Sequence, residues 1–247
     1  MKLLCLLILS ASTLSASAQQ GAISPASSPD PQIAAWKAKL ADWPQLSHYR
    51  AQNAALKPPA AGEHRVVFFG SSSTEIWGKV PGSVFFPGKP YINRGISGQT
   101  TPQMLIRFQQ DVVELKPVAV VFLGGTNDVA GNTGPSNLEM IEENIRSMAA
   151  IAQVNGIRFI LASQLPVKSF PWNRAADPAP SLLALSAWEK QFATDHHLAY
   201  VDYYSALVGP DGNYLPGFSS DGVHPTAKGY EIMAPVVEKV LDDVLGK

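Results

Sequence analysis

The sequence predicts a single α/β domain, a three-layer α/β/α sandwich built on a five-stranded parallel sheet. Three observations carry that expectation. Five short, β-branched apolar runs, each bounded by turn residues, are spread through the chain. Most of them lack strict in/out alternation, the pattern of strands buried on both faces. Between them lie segments whose apolar residues recur at helical spacing, so strands and helices alternate as a doubly wound fold requires.

Taken in order, the chain opens with MKLLCLLILSASTLSASAQQ. Lys2 precedes an apolar stretch from Leu3 to Leu9, and Ala16-Ser17-Ala18 fits the small-residue rule for a secretory cleavage site. The stretch falls far short of the ~20 residues that span a bilayer, so residues 1–18 read as an export signal and no membrane anchor is expected. Residues 19–32, rich in Pro, Ser and Ala, read as a flexible leader. Residues 33–247 read as one domain. Within it, Ile33 to Leu56 carries Trp36, Leu40, Trp43 and Tyr49 at roughly helical spacing, with Pro44 as a break.

The five predicted strands are Arg65–Gly70, Tyr91–Ile96, Val118–Gly124, Arg158–Leu165 and Ala199–Tyr203. A helix over Thr101–Leu115 places Met104, Leu105, Phe108, Val112 and Leu115 on one face. A second over Ser136–Val154 does the same with Leu138, Ile141, Ile145 and Met148, and Ser136 with Glu139 reads as its capping box. Leu182–Asp195 and Thr226–Leu245 complete the set.

Composition narrows the class of function. Hydrophobic content of 46% and a formal charge of −1 describe an ordinary globular protein, and neither suggests a nucleic-acid partner. Cys5 is the only cysteine, so cleavage after Ala18 would leave a domain whose folding is independent of redox conditions. The chain contains no N-x-S/T sequon, which leans towards a bacterial exported protein, periplasmic or secreted.

Ligands of doubly wound sheets bind outside the carboxyl ends of the strands. Polar residues cluster at three such places, and a fourth cluster precedes the last helix: Gly70-Ser71-Ser72-Ser73, then Asn93 to Thr100, then Gly124-Gly125-Thr126-Asn127-Asp128, and finally Asp221-Gly222-Val223-His224-Pro225. These are the residue types that acyl transfer from a serine needs. A hydroxyl is a poor nucleophile until a base takes its proton, and histidine suits that task near neutrality. A carboxylate must hold the imidazole in the right tautomer, and hydrogen-bond donors must meet the developing oxyanion. Asp221 and His224 fit the orienter and the base. A serine at a strand-to-helix junction brings its own exposed N–H, Gly98 can bring a second, and Asn127 can offer a side-chain amide.

On these residues the chain resembles the SGNH hydrolases, the GDSL esterase/lipase superfamily, whose four sequence blocks appear here in order. The resemblance implies a flavodoxin-like sandwich and a cofactor-independent serine esterase without a metal. It places the nucleophile at Ser72, two positions after Gly70, with oxyanion donors at Ser72, Gly98 and Asn127 and the base and its orienter at His224 and Asp221. It departs from the family at Ser71, where the G-D-S block has an aspartate; a register shift would make Ser71 or Ser73 the nucleophile instead. Asp128 reads as support for the site, and Asp202 as structural. A G-x-S-x-G elbow is absent, since Gly70-Ser71-Ser72-Ser73-Thr74 has the wrong fifth residue.

Substrate features are fewer. The connection from Val167 to Pro180 contains Trp172 and Arg174, which could line a pocket or stack on a sugar, and Trp77 could do the same or pack in the core. The expected substrate is a small ester or an acylated carbohydrate, with acetyl the favoured acyl group. Lysophospholipid or thioester hydrolysis and sugar O-acyl transfer are the alternatives within the same fold. A catalytically silent carbohydrate-binding module is the non-enzymatic one.

Overall fold

The computed structural model describes residues 30–173 and 176–246. The expected export signal and most of the expected leader therefore lie outside the described residues, as does Arg174. The chain divides into two compact units, residues 1–40 and 41–247. Of the first, α1 (Pro31–Ala41) is described; it begins two residues before the predicted helix start, and none of its residues is buried.

The second unit holds the sheet. Its strands are β1 (Val66–Gly70), β2 (Tyr91–Gly95), β3 (Ala119–Leu123), β4 (Arg158–Ala162) and β5 (Ala199–Val201). All pair in parallel, in the order β2-β1-β3-β4-β5. The order reverses between β1 and β3, and that crevice is where flavodoxin-like sheets take their ligands.

The helices of this unit, among the described residues, are α2 (Arg50–Ala55), α3 (Ser72–Glu75), α4 (Thr101–Asp111), α5 (Thr126–Val129), α6 (Leu138–Val154), α7 (Ala179–Asp195), α8 (Tyr203–Leu207) and α9 (Ala227–Leu245). A short 3-10 turn, Val113–Leu115, follows α4, so the single helix predicted to reach Leu115 ends early.

The two sheet faces explain the missing alternation in the strands. Val66, Phe68, Ala119, Val121, Ile160 and Ala162 enter one core with Tyr230, Met233, Val237 and Leu241 of α9. Val67, Phe69, Val120, Phe122, Phe159 and Leu161 enter the other with Met104, Phe108, Ile141, Ile145 and Met148 of α4 and α6. Successive strand residues point to opposite faces, and here both faces are covered, so both sets are apolar.

Two local expectations are corrected. The N-cap of α6 is Asn137, whose side chain accepts the N–H of Met140 at 2.9 Å, while the Ser136 hydroxyl donates to the Asp128 carbonyl at 2.7 Å. The acceptor that caps the helix is thus one residue later than the Ser136–Glu139 box supposes. Trp77 is 4% exposed, stacks on Tyr230 at 4.9 Å and donates its Nε1–H to the Val84 carbonyl, so it is a core residue and faces no substrate.

Candidate active site

The first block turns sharply. β1 ends at Gly70, where any side chain would strike the Leu123 carbonyl and Thr74, and Ser72 opens α3 directly beyond it. This turn is held from several sides. The Gly70 carbonyl accepts from Arg107 at 2.9 Å, the Ser73 carbonyl from the Tyr230 hydroxyl at 2.7 Å, and the Thr74 carbonyl from the Asn93 amide. Tertiary contacts of this kind fix a four-residue helix that its own propensity could not sustain.

The segment before α9 supplies the second half of the site. Gly222, with φ of 79°, lets the chain curl so that the N–H groups of Val223 and His224 both donate to Asp221 Oδ1 at 2.8 Å. That leaves Asp221 Oδ2 facing His224 Nδ1 at 2.7 Å. Beyond it, His224 Nε2 lies 2.8 Å from Ser72 Oγ. Partial burial works against ionisation of Asp221, but the hydrogen bonds from the His224 ring and from the two N–H groups outweigh it and hold the carboxyl at about 2. An ionised carboxylate only accepts hydrogen bonds, so Nδ1 must carry the imidazole proton and Nε2 must offer its lone pair to the Ser72 hydroxyl. Among the described residues, neither Ser71 nor Ser73 hydrogen-bonds His224.

Donors converge beside Ser72. Among the described residues, no hydrogen bond inside the protein uses the N–H of Ser72 or of Gly98. Gly98 has φ of 78°, a left-handed conformation that favours glycine. Asn127, 7% exposed, donates one Nδ2 hydrogen to the Gln99 carbonyl at 3.0 Å, and its second is uncommitted. Next to it, Asp128 accepts the N–H and hydroxyl of Thr101, tying the third block to the start of α4. Burial raises the Asp128 carboxyl to about 6, even though the Thr101 hydrogen bonds oppose the shift.

An open groove of about 710 Å³ contains Ser72, Gly98, Asn127, Asp221 and His224, with Ile76, Val80 and Trp172 on its walls. Trp172 is 53% exposed and stacks on the buried Phe170 at 5.2 Å. A small recess of about 10 Å³ adjoins Ser72, walled by Leu123, Leu165, Val167 and Val223 along with Ser71. A second cleft, about 700 Å³, lies at the opposite ends of the strands around Arg158, His196 and Leu198, and none of the candidate residues lines it.

The GDSL-like lipase/acylhydrolase family matches residues 60–232. The chain belongs to this family. It is accordingly a carboxylic ester hydrolase, which sets aside the silent binding module. Two solved Bacteroides structures resemble this GDSL acylhydrolase, each 41% identical to it. One, a GDSL-like lipase of Bacteroides thetaiotaomicron, has a TM-score of 0.77, over 81% of this chain and 98% of that one. The other, from Bacteroides fragilis and provisionally named an acylhydrolase, has a TM-score of 0.78, over 82% and 98%. A 79-residue stretch, 31% of this chain, is 34% identical to the uncharacterized lipoprotein YqeF of Bacillus subtilis. That match spans only 32% of YqeF.

Within the acylhydrolase, the sequence-predicted residues sort clearly. Ser72, Gly98, Asn127, Asp221, His224 and Trp172 share the groove. Trp77 lies in the core. Asp202 caps α8 by accepting the N–H of Ser205, a structural task. Sequence reasoning missed the residues that bond to the site's backbone and amides: Gln99 and Asn132 at the Asn127 side chain, Arg107 at the Gly70 carbonyl, and Gln164, which donates to the Gly124 carbonyl and accepts from the Thr126 hydroxyl. Arg107 and Asp111 did carry a signal, a charged pair four residues apart beside the apolar Met104 and Phe108, and both are fully buried.

Proposed function

We propose that this acylhydrolase is an exported serine esterase that removes short acyl groups, acetyl foremost, from acylated carbohydrates. The observation that carries the mechanism is the continuous chain from Asp221 through His224 to Ser72, at 2.7 and 2.8 Å, opening onto a groove with uncommitted donors. Ser72 Oγ attacks the ester carbonyl as His224 Nε2 takes its proton. Asp221 keeps Nδ1 protonated and stabilises the imidazolium that results. The oxyanion meets the N–H groups of Ser72 and Gly98 and the free Nδ2 hydrogen of Asn127. When the intermediate collapses, His224 passes its proton to the leaving alcohol. A water molecule, deprotonated by the same imidazole, then attacks the acyl-enzyme and releases the acid.

The choice of acyl group rests on the cavity beside Ser72. A volume of about 10 Å³ accommodates one water-sized group, and a methyl is of that size. Carbohydrate as the carrier rests on Trp172, whose exposed ring backs onto Phe170 and offers a flat apolar face at the groove wall. Export rests on the sequence of residues 1–18.

Labelling with a fluorophosphonate followed by peptide mapping tests the nucleophile. A single adduct on Ser72, absent from Ser72→Ala, is the expected result. Labelling of Ser71 or Ser73, or hydrolysis by Ser72→Ala at the parental rate, would overturn it. The substrate is tested separately with acetylated and butyrylated oligosaccharides, where acetate should be released in preference; equal release of both acids would reject the acetyl assignment.

A further inference from the structure

Among the described residues, Asn132 is the one side chain that bonds to both the Gly98 carbonyl and the Asn127 amide oxygen. Its Nδ2 donates to Asn127 Oδ1 at 3.0 Å and to the Gly98 carbonyl at 3.2 Å. It lines the groove itself, and a methyl group built on Gly98 would have Asn132 Nδ2 as its nearest neighbour, at 4.0 Å. We propose that Asn132 is a positioning residue that locks the orientation of the Asn127 amide and the Gly98 loop, so that both present donors to the oxyanion. The inference rests on the oxyanion role given above to Gly98 and Asn127.

The logic follows from counting donors and acceptors. Backbone carbonyls only accept, so the Gly98 carbonyl requires the NH2 end of Asn132, and the Gln99 carbonyl requires the NH2 end of Asn127. The Asn132–Asn127 contact then falls into place, with NH2 against oxygen. Turning the Asn127 amide over would set its oxygen against the Gln99 carbonyl and its NH2 against that of Asn132. Two backbone carbonyls thus dictate both amide orientations. Both Asn132 hydrogens are used, one on each partner, and Asn127 keeps a single free hydrogen. Without Asn132, the Asn127 oxygen loses its donor in the protein, and the Gln99 carbonyl alone is left to hold the amide.

The loop that carries Asn132 is anchored independently of that side chain. The Asn132 N–H donates to the Asn127 carbonyl at 3.0 Å, and the Thr133 and Thr100 hydroxyls bond at 2.8 Å. Removing the Asn132 amide therefore leaves both of these anchors in place. A preorganised donor matters because it costs no reorganisation as charge develops, and one such donor is typically worth about 10²–10³ in kcat.

The test is a double-mutant cycle on the full-length enzyme with p-nitrophenyl acetate, scored as kcat, KM and inhibition by methylboronic acid. Asn127→Ala should lower kcat about 10²-fold or more. Asn132→Ala should lower kcat about tenfold, weaken the boronate in parallel and leave KM within about threefold, since the donors act on the tetrahedral state. Asn132→Asp, the same shape without donors, should be at least as impaired, and both variants should keep the parental melting temperature within a few degrees. In Asn127→Ala, adding Asn132→Ala should cost clearly less than it does alone. Asn132→Ala at parental kcat, or fully additive effects in the cycle, would overturn the positioning role. Asn127→Ala at parental kcat would instead overturn the oxyanion assignment beneath it. Melting that drops in step with kcat would also count against positioning.

Discussion

Arg107 donates from Nη2 to the Gly70 carbonyl at 2.9 Å, two residues ahead of the candidate nucleophile. The rest of its guanidinium is equally occupied. Nη1 donates to the Arg94 carbonyl at 2.9 Å and to Asp111 at 3.1 Å, Nε donates to the Gln99 side chain, and the group sits 4.1 Å from the Phe69 ring. One buried side chain thus joins the ends of β1 and β2 to the loop that carries Gly98.

Burial draws the Arg107 guanidinium down to about 10, although the Asp111 carboxylate opposes the shift. Replacing Arg107 with methionine keeps much of the volume but leaves Asp111 without its ion-pair partner. A loss of about 3–5 kcal/mol is expected, read from the urea midpoint followed by circular dichroism. Arg107→Lys should recover only a part of it, because an ammonium cannot reach all these acceptors in one plane. A loss below about 1 kcal/mol for the methionine variant would show that the network contributes little.

Trp172 is expected to act on the carrier and to leave the chemistry alone. Trp172→Ala should raise KM for an acetylated oligosaccharide about three- to tenfold, the worth of one aromatic stacking contact. Hydrolysis of p-nitrophenyl acetate should be unchanged. Equal losses on both substrates would remove the sugar platform from the proposal.

Enlarging the cavity beside Ser72 should broaden the acyl preference. Val167 lies on its wall and is 3% exposed, and Val167→Ala removes two methyl groups there. The ratio of kcat/KM for the propionate ester over the acetate ester should rise about tenfold, the lower end of what one methylene is worth in a fitted pocket. An unchanged ratio would mean that the acyl group sits elsewhere.

Glu189 and Asp128 each contribute stability that falls as pH rises, opposite in sense to the lowered Asp221. Glu189 is fully buried on α7, with one oxygen accepting from Gln164 at 2.8 Å and the other without a partner. Burial pushes its carboxyl well above the usual range, with the Gln164 hydrogen bond opposing, and Asp128 stands at about 6. Both folded-state values exceed those of the unfolded chain, near ~4, so the folded protein holds protons that the unfolded chain has released. Their contribution is fully present below about pH 4 and declines as pH rises through the folded-state values. Urea unfolding at pH 4, 6 and 8 should show that decline in the parent and a flatter course in Glu189→Gln. Parallel curves for the two proteins would sink this account.

The sheet and the four blocks were legible because each leaves a local mark. Strands buried on both faces read as apolar runs, and Asp221 and His224 sit three residues apart, so a short turn joins them. What the sequence hid was relational. Asn132 sits in a glycine-flanked loop whose amide looks like any turn residue until the Gly98 carbonyl comes into reach. Trp77 sits five residues from Ser72, yet it faces the other way because α3 is short and Tyr230 of α9 offers it a ring. Ser136 and Asn137 are both capable caps, and Ser136 was already committed to Asp128 by tertiary contact. The family register alone points to Ser72 over Ser71 and Ser73, and the reach of His224, 152 residues away, is a relation no local stretch displays.

The candidate base and its orienter share one turn. Asp221 and His224 are bonded within one turn, anchored to the rest by the Tyr214 hydroxyl on the Val223 carbonyl at 2.9 Å and by the chain's return into α9. That turn carries the candidate pair as one unit. If it swings outward, the imidazole and carboxylate keep their mutual geometry, while Ser72 and the oxyanion donors stay behind on the sheet. Val223 of the same turn also walls the cavity beside Ser72, so a molecule loosened only there would lose the candidate base and one side of the candidate acyl site together.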